Sequence, residues 1–370
     1  MRIAILADPI DNQQAGIHYY TREFLTHLGQ INTKNEYLAI RMSPAPQISG
    51  IENLVVRNYP KIPGYKAYRM FLGLPRKLSR MKVDVVVEPA HFGPFNLPSR
   101  IKRVTVIHDL TPIKYPHFHR FHSQFLQRIF LKGILKRASL IIANSRSTYK
   151  DIIEYLPSTE QKAEYIYLGK DPIFINTLNE DLLNDLYGID YPYCLYIGTI
   201  EPRKNLLTLL KAFEILKKEH KSNLHLVIGG QVGWRSEDFF KELDNHPFRD
   251  DINLMGYIPR EIMPLIYSHA RVFVFPSLYE GFGMPVLEAM SCGTPCIVAD
   301  NSSLPEVGGL AADTFEPKDF RALAGLIQGF ESNDAFRKER SDLAMEQASQ
   351  FSWDNYVKEF DLLMTNLPKR

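Results

Sequence analysis

The architecture of this chain can be deduced from one run of residues, Pro276-Ser277-Leu278-Tyr279-Glu280-Gly281-Phe282-Gly283-Met284-Pro285-Val286-Leu287-Glu288-Ala289-Met290. The apolar run Val272–Pro276 predicts a buried strand, and Pro285 suits the first position of a helix. The N–H groups at such a helix start favour a negatively charged ligand. Glu280 and Glu288 flank that start, and their carboxylates are suited to accept hydrogen bonds from sugar hydroxyls.

Short apolar runs alternate with helical stretches along the rest of the chain. The predicted strands are Arg2–Ala7, Tyr37–Arg41, Val83–Glu88, Val104–Asp109 and Leu140–Asn144, then Tyr193–Gly198, Leu224–Gly229, Ile252–Gly256, Val272–Pro276 and Cys296–Ala299. Apolar strands that alternate with helices indicate parallel sheets covered on both faces. The two sets predict an α/β chain of two doubly wound, Rossmann-like domains. We expect a first domain over 1–173, joined by a C-terminal helix over 352–370, and a second over 174–351.

Size and composition agree with two domains. The chain has 370 residues, of which 45% are apolar and 23% charged, which is typical of a globular protein. No apolar run approaches the roughly 20 residues of a membrane-spanning helix. Asp8 comes too early for the apolar segment of a signal peptide, and three cysteines do not complete a disulfide framework. We therefore expect a cytoplasmic protein.

The net charge of +2 conceals an asymmetry between the two halves. Residues 1–171 contain 25 basic and 13 acidic residues, whereas the remainder contains 19 and 29. A basic half attracts anions such as lipid head groups or pyrophosphates. Two basic segments, Tyr65–Arg80 and Phe125–Arg137, predict either contact with an anionic membrane surface or core-packed helices with solvated outer faces. Nucleic acid is not expected, because no recognised binding module accompanies the charge.

A second motif follows the first strand of the second half, Gly198-Thr199-Ile200-Glu201-Pro202-Arg203-Lys204-Asn205. Arginine grips two phosphate oxygens and lysine acts as a point charge, so the adjacent cations Arg203 and Lys204 suit a diphosphate. A third motif, Val106-Ile107-His108-Asp109-Leu110-Thr111-Pro112, ends a strand of the first half. His108 is placed there to donate a hydrogen bond to a sugar oxygen.

Two glutamates separated by seven residues, with Gly-Phe-Gly between them, resemble the motif of glycosyltransferase family 4. That resemblance implies the GT-B fold, in which two Rossmann-like domains face each other across a cleft, and a retaining reaction. It implies that Arg203 and Lys204 bind the donor pyrophosphate and that His108 contacts the transferred sugar. The chain departs from the family where Thr199 stands in place of an arginine, and Arg203 is the candidate replacement.

Two further segments carry weaker family signals. The run Gln14-Ala15-Gly16-Ile17-His18-Tyr19 keeps one glycine, Gly16, where family members often have two, and implies close approach of the backbone to a phosphate. The run Met255-Gly256-Tyr257-Ile258-Pro259 resembles the segment that lies against the nucleotide base, and a plain turn is the alternative. The implied catalytic residues are His108, Glu280, Arg203 and Lys204. The implied donor-binding residues are Gly16, Gly198, Thr199, Arg203, Lys204, Tyr257, Ile258, Glu280, Gly281, Phe282, Gly283, Met284, Pro285 and Glu288.

The same resemblance also indicates which donor and acceptor the protein uses. The motifs around His108 and Lys204 look like those of bacterial mannosyltransferases that build surface polysaccharides, which implies a GDP-mannose donor and a glycan or lipid-linked acceptor. A UDP-sugar donor, carrying glucose, galactose or N-acetylglucosamine, is the alternative. No metal or other cofactor is expected, because the chain has no Asp-x-Asp and because His117 and His119 would point to different faces of a helix.

Other classes of protein remain as alternatives. A dinucleotide-dependent oxidoreductase would share the doubly wound domains, but no Gly-x-Gly-x-x-Gly follows the first strand. A non-catalytic nucleotide-sugar-binding protein would keep the nucleotide contacts and lose His108 or Glu280, and both are present. Epimerases that share the GT-B fold are excluded only by the motif around Glu280.

Overall fold

A computed structural model of the chain describes residues 1–368 except 13–14, 45–46, 58, 60–61, 91–92, 95, 117–120 and 178, and describes only the backbone of 12, 15, 66, 121–128 and 180–181. The chain divides into two compact units. Unit 1 is Met1–Gly169 with Ser352–Arg370, and unit 2 is Lys170–Phe351.

The described residues of unit 1 form a seven-stranded parallel sheet in the order β3-β2-β1-β4-β5-β6-β7. Its strands are β1 (Arg2–Leu6), β2 (Glu36–Arg41), β3 (Glu52–Val55), β4 (Val85–Glu88), β5 (Lys102–Ile107), β6 (Leu140–Ala143) and β7 (Ala163–Tyr165). Its first helices are α1 (Asp8–Asn12), α2 (Ala15–Leu28), α3 (Tyr65–Tyr68), α4 (Leu74–Arg80), α5 (Thr111–Lys114), α6 (Phe121–Arg137) and α7 (Arg146–Tyr155). One π-helical turn, Arg69–Gly73, joins α3 to α4.

In unit 2 the described residues form a six-stranded parallel sheet in the order β10-β9-β8-β11-β12-β13. Its strands are β8 (Tyr193–Ile197), β9 (His225–Gly229), β10 (Ile252–Gly256), β11 (Val272–Phe275), β12 (Cys296–Ala299) and β13 (Ala312–Phe315). Its helices are α8 (Glu180–Tyr187), α9 (Leu206–Glu219), α10 (Glu237–Asp244), α11 (Met263–His269), α12 (Met284–Ser291), α13 (Leu304–Gly308), α14 (Phe320–Ser332) and α15 (Asp334–Ser349).

Both sheets have the strand order of the dinucleotide-binding Rossmann fold. The order reverses between β1 and β4 in unit 1 and between β8 and β11 in unit 2. Ligands of such sheets bind beyond the carboxyl ends of the strands at this reversal. The predicted α/β class with two doubly wound sheets is therefore confirmed.

Three strands that were not predicted from the sequence lie at sheet edges. β3, β7 and β13 each have a neighbour on one side only, and each carries partly or fully exposed positions. An edge strand that meets solvent does not need a continuous apolar run, so the pattern that identified the central strands is absent there.

The C-terminal helix α16 (Trp353–Asn366) packs on α2 within unit 1. The Phe24 and Phe360 rings lie edge to face with centroids 4.8 Å apart, and the Tyr20 and Tyr356 hydroxyls are 2.5 Å apart. The Asp361 carboxylate accepts a hydrogen bond from the Tyr37 hydroxyl at 2.5 Å. These aromatic side chains are buried, so α16 completes the core on this face of unit 1. Among the described residues, no helix is long and apolar enough to span a bilayer.

Truncation of Phe360 to Ala should therefore destabilise unit 1 strongly. Phe360 is fully buried, and Phe→Ala in a core costs about 3 kcal/mol or more of unfolding free energy. Leu362 lies on the same helix with 59% of its surface exposed, so Leu362→Ala should change the unfolding free energy by less than about 0.5 kcal/mol. Urea unfolding followed by tryptophan fluorescence, to which Trp353 of unit 1 contributes, measures both variants. Equal effects at the two positions would contradict this packing.

Candidate functional site

The residues of the two strongest motifs meet at the strand reversal of unit 2. Gly198–Asn205 follows β8, and Pro276–Gly283 follows β11, the neighbouring strand. The two loops are tied together by main-chain and side-chain hydrogen bonds. The Leu278 N–H donates to the Arg203 carbonyl at 2.8 Å, and the Asn205 side-chain amide donates to the Pro276 carbonyl at 3.0 Å. Motifs 76 residues apart in the sequence thus form one structure.

At the centre of this structure the Glu280 carboxylate lies against two cations. Its Oε1 is 2.6 Å from Lys204 Nζ and 2.9 Å from Arg203 Nη1, and it accepts a hydrogen bond from the Ser277 hydroxyl at 2.5 Å. Lys204 Nζ also lies 4.8 Å from the centroid of the Phe275 ring. Glu280 and Lys204 are buried, so the ion pair is screened little by solvent.

The electrostatics of the cluster favour the charged form of Glu280. Burial opposes its ionisation, but Arg203 and Lys204 outweigh burial and lower the pKa of Glu280 to about 2. Burial also lowers the pKa of Lys204 below its ordinary value, against the opposing effect of Glu280. Arg203 has a second carboxylate partner, the buried Glu201, with 2.6 Å between Nη2 and Oε1. The two cations are therefore held in place by two carboxylates.

The loop that precedes α12 is oriented by the serines that follow β12. The Ser303 hydroxyl donates to the carbonyls of Glu280 and Phe282, at 3.0 and 2.8 Å. In a trans peptide the carbonyl and the next N–H point in opposite directions. The N–H groups of Gly281 and Gly283 therefore point away from Ser303, as an anion-binding loop requires.

Gly283 caps α12 with a backbone that favours glycine. Its φ is +106°, and a Cβ there would lie 2.9 Å from Leu304 Cδ2. The helix begins at Met284, so Pro285 is its second residue and not the first, as the sequence analysis expected. Proline is tolerated there because the N–H of the second residue has no partner within the helix.

Glu288 lies in α12 within a separate network. Its Oε2 accepts a hydrogen bond from the Tyr267 hydroxyl at 3.2 Å, and its Oε1 lies 3.9 Å from Arg260 Nη1. Burial raises the pKa of Glu288 to about 7, although Arg260 and Tyr267 act in the opposite direction and Asp171 adds to the rise. Two glutamates in one motif therefore differ widely in acidity.

The other residues of unit 2 that were predicted to bind the donor differ in how exposed they are. Thr199 and Tyr257 are exposed, whereas Ile258 is buried and its Cδ1 would lie 2.2 Å from a Cβ at Gly229. A Cβ at Gly198 would lie 2.6 Å from the Tyr196 hydroxyl oxygen. The chain is therefore closely packed where β8 and β9 end, whereas Tyr257, which follows β10, is 67% exposed.

In unit 1 His108 follows β5 directly. Its Nε2 lies 2.7 Å from the Pro89 carbonyl oxygen, and its ring lies edge to face on Tyr20 with centroids 4.7 Å apart. Burial lowers the pKa of His108, against the opposing effects of Pro89 and Asp109. A carbonyl oxygen only accepts, so the neutral ring carries its proton on Nε2 and has an acceptor at Nδ1. Nε2 is therefore engaged by the Pro89 carbonyl, and the contact of His108 with a sugar stays a prediction.

Gly16 is the second residue of α2 and is exposed. A Cβ at this position would meet no atom within 4 Å, so the packing of the protein does not itself require glycine there.

The two basic segments differ in what they expose. In Tyr65–Arg80 the side chains of Tyr68, Phe71 and Leu72 are 48%, 38% and 40% exposed. In α6, by contrast, Leu131, Ile134 and Leu135 are buried in the core. The described part of α6 therefore matches the core-packed alternative, and the side chains of 121–128 lie outside the described residues.

Histidine, cysteine and carboxylate side chains are the usual protein ligands of metal ions. Within the described part of the chain, no group of three or more His, Cys, Asp or Glu side chains is arranged to hold a metal ion. His117 and His119, which the sequence analysis rejected as metal ligands, lie outside the described residues.

Sequence reasoning missed three residues that hold the clusters together, Glu201, Ser303 and Arg260. Glu201 lies two residues before Arg203, so its negative charge close to the predicted cations could have indicated that it pairs with them. Ser303 and Arg260 are ordinary surface-type residues in the sequence, and only their contacts reveal them.

Two parallel sheets in Rossmann order, with a glutamate-bearing loop and helix after β11, define a glycosyltransferase of the GT-B fold. The chain belongs to the group 1 glycosyltransferases: residues 187–348 match the family described as "Glycosyl transferases group 1", and residues 16–173 match "Glycosyltransferase Family 4".

Individual relatives agree with this assignment. The chain is 30% identical to the O-antigen chain mannosyltransferase B of Escherichia coli, over 96% of this chain and 97% of that protein. It is 30% identical to the serotype-specific mannosyltransferase WbdA of Escherichia coli over 69% of this chain, and this match spans only 32% of WbdA. The Anabaena protein HepE, solved in complex with UDP-glucose, superposes with a TM-score of 0.75 at 17% identity, over 99% of this chain and 100% of that one.

The Glu280 cluster leads to a prediction on stability. Glu280→Gln removes a buried carboxylate from two cations, and breaking a buried pair in this way costs about 3 kcal/mol of unfolding free energy. The folded pKa is about 2, below the ordinary value of 4.5. The carboxylate therefore stabilises the fold above about pH 4.5, and this contribution is lost as the pH falls towards 2.

Urea unfolding of wild type and Glu280→Gln at several pH values measures the difference. We expect it to be largest near neutrality and to shrink below about pH 4.5. Glu214→Gln is the control, because Glu214 pairs with Lys218 at the surface of α9 and should contribute less than about 0.5 kcal/mol. A difference for Glu280→Gln that stays constant down to pH 3 would contradict the pairing.

Proposed function

We propose that the protein is a retaining, metal-independent hexosyltransferase that transfers mannose from GDP-mannose to a glycan or lipid-linked oligosaccharide in cell-surface polysaccharide biosynthesis. The observation that carries the proposal is the pair Arg203 and Lys204, which lies against the buried Glu280 at the strand reversal of unit 2. Retention is implied by membership of the family.

The donor diphosphate is assigned to Arg203, Lys204 and the loop before α12. A leaving nucleoside diphosphate accumulates negative charge, and fixed cations stabilise that charge without reorganising. Glu280 and Glu201 hold both cations in place before the donor arrives. The N–H group of Gly283, at the start of α12, completes the anion site. This set of cations supplies the charge that a divalent metal would otherwise supply.

The sugar and nucleoside are assigned to the surrounding groups. All three contacts described above for Glu280 fall on Oε1, so we assign Oε2 to a hydroxyl of the transferred sugar. Glu288 is assigned to the ribose hydroxyls and the exposed Tyr257, with Ile258, to the base. In unit 1, His108 is assigned to the sugar as an acceptor through Nδ1, and Gly16 to close approach of a phosphate.

The mannose donor is supported by two relatives named as O-antigen or serotype-specific mannosyltransferases. The alternative, a UDP-sugar, is supported by the similarity in fold to HepE, which was solved with UDP-glucose. A non-catalytic nucleotide-sugar-binding protein is less well supported, because the groups assigned to the sugar, His108 and Glu280, are both retained.

We also propose that unit 1 receives the acceptor at an anionic membrane surface on the cytoplasmic side. Between Tyr65 and Arg80, the exposed Phe71 and Leu72 precede the exposed Arg76 and Arg80. Leu72 lies in the π-helical turn, and Arg76 and Arg80 lie in α4, which follows it directly. Exposed apolar side chains next to exposed cations are typical of a segment that lies on anionic lipid.

A donor screen tests the enzymatic proposal. Transfer to lipid-linked glycans is measured with GDP-mannose, UDP-glucose, UDP-galactose and UDP-N-acetylglucosamine, with and without EDTA. Lys204→Met should lower turnover about 100-fold or more, since it removes a cation assigned to the leaving group. Lys218→Met, at an exposed position of α9, should retain wild-type turnover. Loss of activity in EDTA, or full activity in a folded Lys204→Met variant, would reject the mechanism.

Flotation with vesicles tests the membrane proposal. Vesicles with phosphatidylglycerol should carry the protein upward, vesicles of phosphatidylcholine alone should not, and added salt should weaken the binding. Phe71→Ser with Leu72→Ser should reduce flotation several-fold. Leu310→Ser, at a leucine of unit 2 that is 91% exposed, is the matched control. Flotation that is equal on both lipids would remove the membrane from the proposal.

A further inference from the structure

Arg260 lies between two carboxylates of unit 2 and is itself held firmly. Its Nη2 donates to Asp171 Oδ2, and its Nη1 lies 3.9 Å from Glu288 Oε1. Its guanidinium lies 4.9 Å from the centroid of the Phe174 ring, and its side chain is only 15% exposed. Asp171 is fixed in turn, because its Oδ1 accepts the Ile173 N–H at 3.0 Å. The cation beside Glu288 is therefore in place before any ligand arrives.

To bind the ribose as proposed, the Glu288 carboxylate has to be ionised. An ionised carboxylate only accepts hydrogen bonds, and its two oxygens can take the two vicinal hydroxyls of a ribose. A protonated carboxyl has to donate from one oxygen, so it cannot accept from both hydroxyls in this way. Retention of the negative charge in a buried setting requires a nearby cation.

We propose that Arg260 is a positioning residue that keeps the buried Glu288 carboxylate ionised and oriented to accept hydrogen bonds from the donor ribose. The inference rests on the proposed function of Glu288 and adds a residue that acts through it. Arg260 follows the segment assigned to the base, so the charge that serves the ribose comes from the same loop.

The groups around Glu288 determine the pH at which its carboxylate ionises. Arg260 faces it from the loop after β10, Tyr267 from α11, Asp171 from the start of unit 2, and Cys292 from the end of α12. Burial raises the pKa of Glu288 to about 7, Arg260 and Tyr267 lower it, and Asp171 raises it. Burial also raises the pKa of the Cys292 thiol, so Cys292 stays neutral in this range. Without Arg260, the pKa of Glu288 would lie higher still.

The expected consequence is a donor affinity that depends on pH. In the wild type, affinity should rise by about tenfold between pH 6 and pH 8, as Glu288 ionises. In Arg260→Gln, the rise should move to higher pH, so that affinity is about tenfold weaker at pH 7 and recovers towards pH 8.5. Arg260→Lys keeps a cation and should restore most of the wild-type profile.

Calorimetric titration with intact nucleotide sugars measures these profiles. GDP-mannose and UDP-glucose are the probes, because their phosphates are already ionised throughout this range and do not contribute to the pH dependence. Glu288→Gln should bind weakly and without pH dependence, and adding Arg260→Gln to it should cause no further loss. Arg340→Gln is the matched control, since Arg340 pairs with Asp313 at 2.7 Å in another part of unit 2.

The outcomes separate this inference from the proposed function. A wild type that binds neither nucleotide sugar overturns the proposed function and the inference with it. A wild type that binds, with an Arg260→Gln loss that is the same at every pH or that persists in the Glu288→Gln background, overturns the inference alone. Should Arg260→Gln fail to fold, the profile of Arg260→Lys decides: a profile displaced to higher pH or unchanged supports the inference, and a pH-independent loss overturns it.

Discussion

The ion-pair cluster on one carboxylate oxygen, Glu280 Oε1, joins the two loops that define the site. It contacts Lys204 and Arg203 from the loop after β8, while Glu280 itself belongs to the loop after β11. Since β8 and β11 are the strands between which the sheet order reverses, this ion pair lies where the ligands of Rossmann-like sheets bind. The arrangement of the cations, and hence the assignment of a diphosphate to them, depends on it.

The same motif uses two glutamates in opposite ways. Glu280 has two cations within 3 Å, and its pKa falls to about 2. Glu288 has one cation at 3.9 Å and a second carboxylate, Asp171, on the far side of that cation, and its pKa rises to about 7. Burial raises the pKa of both, so the difference comes from the charged and hydrogen-bonding groups around each carboxylate. One glutamate is therefore a permanent counter-ion, and the other is close to its point of titration.

Strands that are buried on both sides were predictable from the sequence, whereas strands that meet solvent on one side were not. Central strands such as β4 and β12 are buried at every position and show up as apolar runs. β3 meets solvent on one side and carries Glu52 and Asn53, so no run marks it. The candidate site followed the same division. The positions of Arg203, Lys204 and Glu280 after strands were predictable from the sequence, but their pairing was not. The contact between His108 and the Pro89 carbonyl was not predictable either, because it joins the ends of two different strands.

The linear order of residues was enough to indicate parallel sheets and loops at the carboxyl ends of strands, because periodicity and turn residues act over a few neighbouring positions. The glycosyltransferase assignment came from the resemblance of the segment around Glu280 and Glu288 to a known family. Tertiary structure alone decided which charged groups meet, which tautomer His108 adopts and how acidic each glutamate is. These properties depend on desolvation and on contacts such as that between Lys204 and Glu280, 76 residues apart. Coulomb energies change steeply with distance and with exclusion of water, and neither quantity is encoded in local sequence.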